Sequence, residues 1–116
     1  MKIEELIGKT ITRIDRSDDE LIFTISDDEK YKMYHSQDCC ESVVIDDIVG
    51  DLKDLIGSPI LIAAEVCNDF SAKDSYDESF TWTFYKLATV KGYVNIKWYG
   101  TSNGYYSENV DFERID

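Results

Sequence analysis

Cations are scarce in this chain. Twelve lysines and arginines stand against 24 aspartates and glutamates, leaving a net charge of −12 over 116 residues. A surface so short of positive charge repels phosphate, which argues against direct binding to DNA, RNA or an anionic membrane. Long apolar runs are missing as well, and none approaches the ~20 residues that span a bilayer. The first five residues include Glu4 and Glu5, where a signal peptide has a basic start and an apolar stretch. Cysteine is limited to three residues, an odd number that argues against a disulfide framework and for a reducing compartment. There is one proline, Pro59, and six scattered glycines. No linker, internal repeat or low-complexity tract therefore divides the chain.

What is present is enough for a core. Apolar residues make up 43% of the chain and aromatics 13%, which excludes wholesale disorder. The expectation is one cytoplasmic domain over residues 1–116.

Period-2 alternation dominates the pattern. Leu21, Phe23 and Ile25 alternate with Ile22 and Thr24, and Tyr31, Met33 and His35 alternate with Lys32 and Tyr34. Between them, Ser26, Asp27, Asp28 and Glu29 predict a hairpin turn. Residues 10–15, 42–48 and 105–112 also read as strands. Residues 58–67, the most continuously apolar stretch, predict a central strand with Pro59 confined to its start. Residues 80–85 and 94–98 alternate around a turn at Lys91 and Gly92. That alternation is read with Phe80, Trp82, Phe84 and Trp98 inside, and with Tyr85, Tyr93 and Tyr99 outward beside Lys97. Short helices are expected at residues 2–7, before Gly8, and at 51–56, with Asp51 near the start and Gly57 beyond the end. The fold class is α+β and mainly β: a twisted antiparallel sheet of about seven strands, free to curl towards a barrel, with one or two short helices.

One segment concentrates metal chemistry. His35, the only histidine, precedes Cys39 and Cys40 by four and five residues, with Asp38 and Glu41 beside them. Zinc takes thiolate and imidazole ligands in a tetrahedron, and a turn leaving a strand could bring His35, Cys39 and Cys40 together. Glu65 or Cys67, sharing one face of another predicted strand, could supply the fourth ligand. The spacing lacks the paired Cys-x2-Cys of zinc fingers. Core packing of the cysteines, with His35 as a hydrogen-bonded strand residue, is the competing account. A redox thiol pair lacks a nearby base to lower a thiol pKa.

Carboxylates come in runs: Asp18, Asp19 and Glu20; Asp27, Asp28 and Glu29; Asp46 and Asp47; then Asp69, Asp74, Asp77 and Glu78. At turns they keep a protein soluble and protect sheet edges. Could they imitate nucleic acid? A chain of this size exposes roughly 6,500 Å², so averaged charge falls well short of a duplex with one charge per ~1.7 Å of axis. A mimic must gather its carboxylates on one face. The first two runs flank a strand about 20 Å long at ~3.3 Å per residue, a span of the order of a duplex width.

Five blocks carry a family resemblance: HSQDCCE at 35–41, DIVGDL at 47–52, DLIG at 54–57, WTFYKLAT at 82–89 and WYGTSNGYYS at 98–107. Over residues 7–112 the chain resembles a small family encoded by phages and prophages of Gram-positive bacteria. That resemblance implies a host-defence inhibitor, foremost an anti-CRISPR protein in the host bacterial cytoplasm. It would bind a type II-A, Cas9-type effector with its guide RNA through the acidic surface, blocking DNA binding or loading. The expected partner-binding residues are Asp18, Asp19, Glu20, Asp27, Asp28, Glu29, Asp69, Asp74, Asp77 and Glu78. Zinc is the expected structural cofactor, and no catalytic residues are assigned. Two alternatives stand beside this one: a zinc-dependent hydrolase with Glu41 or Asp38 as base, and a phage structural or assembly protein.

Overall fold

The computed structural model describes residues 2–17, 19–36, 41–68, 79–102 and 108–115. Among them, eight strands form two antiparallel four-stranded sheets. In chain order they are β1 (Arg13–Arg16), β2 (Glu20–Ser26), β3 (Glu29–Tyr34), β4 (Ser42–Val49), β5 (Ile62–Asn68), β6 (Ser79–Thr89), β7 (Gly92–Ser102) and β8 (Asp111–Arg114). The first sheet has the order β1-β2-β3-β8 and the second β4-β7-β6-β5. The mainly-β expectation holds. The sheets do not close into a barrel; each keeps two edges.

Alternation decides which side chains meet between the sheets. The first sheet contributes Leu21, Phe23, Tyr31, Met33 and Phe112, and the second Ala63, Tyr85, Leu87, Val94, Ile96 and Trp98, to one buried cluster. Tyr31 and Phe112 stack with ring centroids 5.5 Å apart. Across β6 and β7 the turn falls at Val90 and Lys91, one residue earlier than expected, and pairs Thr89 with Gly92. Even positions of β6 therefore face odd positions of β7, so Trp82 lies opposite Tyr99 and Thr83 opposite Trp98. Trp82 and Trp98 cannot share a face in that register. Trp98 and Tyr85 are buried, whereas Phe80, Trp82 and Phe84 line the outer face. Tyr93 is outward and half exposed, as expected.

Both expected helices are single 3-10 turns, Ile3–Leu6 and Leu52–Leu55. Asp51 caps the second by accepting a hydrogen bond from the Lys53 backbone N–H at 2.9 Å, and Gly57 follows it at φ +87°. Such short segments survive by packing: Ile3, Leu6 and Leu55 are fully buried. The apolar stretch 58–67 also differs from its reading. Pro59 and Ile60 make isolated bridges to Thr10 and Ile7, the strand starts only at Ile62, and it is an edge strand. The first 3-10 turn packs beside it. That cover accounts for an apolar sequence at an edge, while Ile62 and Val66 remain exposed. Residues 105–107 of the last expected strand lie outside the described residues, and β8 runs on to Arg114.

Candidate functional site

His35 leaves the end of β3 and Glu41 leads into β4, so the two bracket the passage from one sheet to the other. Both side chains are almost wholly buried, at 3% and 1% exposure. His35 Nδ1 lies 2.6 Å from the Asn109 carbonyl oxygen, and Nε2 lies 3.3 Å from Glu41 Oε1. A carbonyl only accepts, so Nδ1 carries the hydrogen. In a neutral ring Nε2 is then a lone pair aimed at a carboxylate, two acceptors face to face. That geometry calls for a proton shared between the two groups or for a metal ion between them. A ring N–H bound to a backbone carbonyl is also how metal-ligating histidines are oriented. His35 therefore fits a metal-ligand role, with Glu41 beside it, a pairing the sequence reading assigned only as a catalytic base.

Cys39 and Cys40, with Asp38, lie outside the described residues. Among the described residues no three His, Cys, Asp or Glu side chains converge on one point. Glu65 and Cys67 do share one face of β5, with Cys67 Sγ 3.6 Å from Glu65 Oε1 and 3.9 Å from Thr83 Oγ1. Next to them, the buried Tyr85 hydroxyl has no hydrogen-bond partner among the described residues. Burial foremost, then the Glu65 carboxylate, raises its pKa well above the ordinary phenol value.

A second buried carboxylate was not legible in the sequence. Glu108 accepts hydrogen bonds from Thr81 Oγ1 at 2.8 Å and Ser102 Oγ at 2.6 Å. Its backbone passes directly over Gly100, where a Cβ would sit 2.8 Å from the Glu108 carbonyl oxygen. Glu108 and Asn109 thus tie the segment before β8 to both sheets: one side chain holds β6 and β7, and the next carbonyl holds His35.

The acidic runs divide into paired and available groups. Glu29 accepts from Lys9 at 2.6 Å and from the Tyr31 hydroxyl at 2.7 Å, and Glu20 meets Lys32 at 3.2 Å. Asp19 accepts from Ser17 Oγ. Asp27 and Asp28 sit at the exposed β2–β3 turn, at the opposite end of β2 from Asp19. Asp18, Asp69, Asp74, Asp77 and Glu78 lie outside the described residues.

The outer faces of the two sheets differ in kind. On the first, Lys32 pairs with Glu20, Arg13 with Asp15, and the Tyr34 hydroxyl donates to Glu113. That face is self-compensated. On the second, a cavity of about 590 Å³ is lined by Asp46, Val66, Trp82, Phe84, Lys86, Asn95 and Lys97. Trp82 and Phe84 lie nearly parallel with centroids 6.1 Å apart, and Tyr99 packs 4.5 Å from Trp82. No helix among the described residues is long and apolar enough to cross a membrane.

Neither a curated protein nor a solved structure matches the chain significantly. The profile of a family described as a domain of unknown function, DUF7448, matches residues 4–112, from the first 3-10 turn to β8. The chain therefore belongs to the DUF7448 family.

Proposed function

We propose that this domain is a non-catalytic inhibitor that docks its acidic surface onto a basic groove of a bacterial defence protein, foremost a Cas9-type effector carrying its guide RNA. The charge count carries the reading. With 24 carboxylates and 12 cations, at least 12 carboxylates have no cation of their own chain to pair with. Three ion pairs hold partners internally in the described residues, and Glu41 is buried against His35. Glu20 and Glu29 belong to that set and serve the fold. Asp19, Asp27 and Asp28, with Asp18, Asp69, Asp74, Asp77 and Glu78, form the docking groups.

Several observations support binding over catalysis. Cys67 contacts the Glu65 carboxylate and the Thr83 hydroxyl, and among the described residues no Cys–His pair of the kind a thiol nucleophile uses is formed. His35 is buried against Glu41 and a backbone carbonyl. A zinc ion held by His35, Cys39 and Cys40, with Glu41 adjoining, would act structurally by joining the end of β3 to the start of β4. The phage setting implied by the sequence blocks names the defence protein.

The test is a pull-down with Cas9 loaded with guide RNA, followed by a salt titration. Electrostatic docking predicts a complex at low ionic strength that weakens steadily as salt rises. Failure to form it at low salt removes Cas9-type effectors as the partner. Binding indifferent to salt removes the acidic surface as the docking element.

A further inference from the structure

The outer face of the second sheet is the part of the molecule that the acidic-docking reading leaves unused. Register lays its side chains out in rows. Val66, Phe84, Lys97 and Asp47 stand side by side across β5, β6, β7 and β4, and the next row is Ala64, Lys86, Asn95 and Val49. Trp82, opposite Tyr99, closes one end. An exposed antiparallel face ordinarily carries polar residues, and here it carries two aromatic rings and two lysines lining one groove.

We propose that this groove binds a nucleoside mono- or diphosphate. Its volume of about 590 Å³ falls within the ~300–1,000 Å³ of small-ligand sites. The Trp82 and Phe84 rings, with planes within 6° and centroids 6.1 Å apart, are too close to sandwich a base, which needs about 7 Å at two ~3.5 Å contacts. A base therefore lies against the aromatic surface. Asn95, which lines the groove, holds a buried Oδ1 without a hydrogen-bond donor among the described residues, an acceptor that a small side-chain rotation would offer to a ligand N–H. Lys86 and Lys97 make no ion pair among the described residues and supply the charge for phosphate. Asp46, the one carboxylate among the described residues that line the groove, opposes a bare phosphate.

Charge also selects against other occupants. A second copy of a chain with net charge −12 is repelled. A long nucleic acid would run from the two lysines onto the surrounding carboxylates. A small nucleotide stays within the two ammonium groups, since more distant charges are screened over the ~8 Å Debye length of physiological salt.

Isothermal titration of the intact protein with ADP, adenosine, inorganic pyrophosphate, a glutamate-rich peptide and a 20-nucleotide single strand tests this. ADP should bind saturably, adenosine about tenfold more weakly, and pyrophosphate more weakly still. Lys97→Gln and Lys86→Gln should each lower ADP affinity about tenfold while sparing the affinity for adenosine. Amide shift changes in the unaltered protein should cluster on β6 and β7, a readout that needs no variant to fold. The proposal fails if ADP gives no saturable binding at millimolar concentration, or if the shifts fall elsewhere. It fails equally if pyrophosphate, the peptide or the strand binds as tightly as ADP. Because Cas9 binding uses other residues, either outcome leaves the acidic-docking test separate.

Discussion

The Trp98 indole N–H points across the core at the Met33 sulfur, with Nε1 and Sδ 3.2 Å apart. Trp98 belongs to β7 and Met33 to β3, and both are fully buried, so this contact joins the two sheets at their centre. A buried indole needs an acceptor, and a thioether is a weak but polarizable one. Met33→Leu conserves volume, a change that usually costs under ~1.5 kcal/mol. Here it also strands the indole donor, so a loss of about 2 kcal/mol is expected. Trp98→Phe removes volume and should cost about 3 kcal/mol. In the double variant the donor is gone, so its cost should fall short of the sum by about 1 kcal/mol in urea unfolding. Strict additivity would mean the contact carries no energy.

Tyr85 offers the opposite case, a buried hydroxyl without a partner among the described residues. Removing it by Tyr85→Phe should leave stability unchanged or raise it by up to about 1 kcal/mol. The phenol's pKa is raised in the folded protein above its ordinary value of 10.0, first by burial and then by Glu65. The folded state thus holds its proton where the unfolded chain has lost it. This contribution is intact below pH 10 and is lost as pH rises above it. Tyr85→Phe should therefore resist alkaline unfolding better than the parent. A variant less stable than the parent at neutral pH would show that the hydroxyl is bonded after all.

The positions of most strands were legible because period-2 patterns and the Asp27–Asp28 turn are local signals. Which face points inward was not. Phe80, Trp82 and Phe84 look like core by composition, yet hairpin pairing puts them opposite Thr101, Tyr99 and Lys97 and sends Tyr85 inside. Burial is decided by the partner sheet, which contributes no local signal. The edge position of β5 was hidden for the same reason, since residues 58–60 spend their apolar character on the segment around Ile7 and Thr10. At the candidate site, His35 stood out as the only histidine. Its contacts with Asn109, 74 positions away, and the Glu108 clamp depend on chain closure and leave no motif.

Glu29 sits between Lys9 and the Tyr31 hydroxyl, and the Lys9 contact, then the Tyr31 one, lowers its pKa below the ordinary 4.5. The same pair raises the Lys9 pKa above 10.5, chiefly through Glu29. A depressed carboxylate contributes stability above its unfolded value that is lost as pH falls through the folded value. A raised ammonium contributes stability below its unfolded value that is lost as pH rises through the folded value. Glu29→Gln should therefore flatten both limbs, below pH 4.5 and above pH 10.5. Both groups are solvent-screened, so the change should be read as slope. Unfolding curves from pH 2 to 12 on parent and variant measure it. Parallel profiles at both ends would show that the pair holds no pH-linked stability.

At the passage between the sheets, the chemistry of His35 leaves two choices. Nδ1 is committed to the Asn109 carbonyl and Nε2 faces Glu41, so either a proton or a metal ion lies at Nε2. With Cys39 and Cys40 four and five residues on, zinc is the better match in ligand type. The purified protein should then contain one zinc per chain, and a chelator should lower its thermal midpoint. His35→Gln and Cys40→Ser should each lose the metal. Glu65 and Cys67 adjoin on β5, and as the candidate fourth ligands they separate by variant: Cys67→Ser loses the metal if the thiolate completes the site and keeps it if Glu65 does. A protein that purifies without metal, and whose thermal midpoint ignores chelator and added zinc alike, overturns the zinc site.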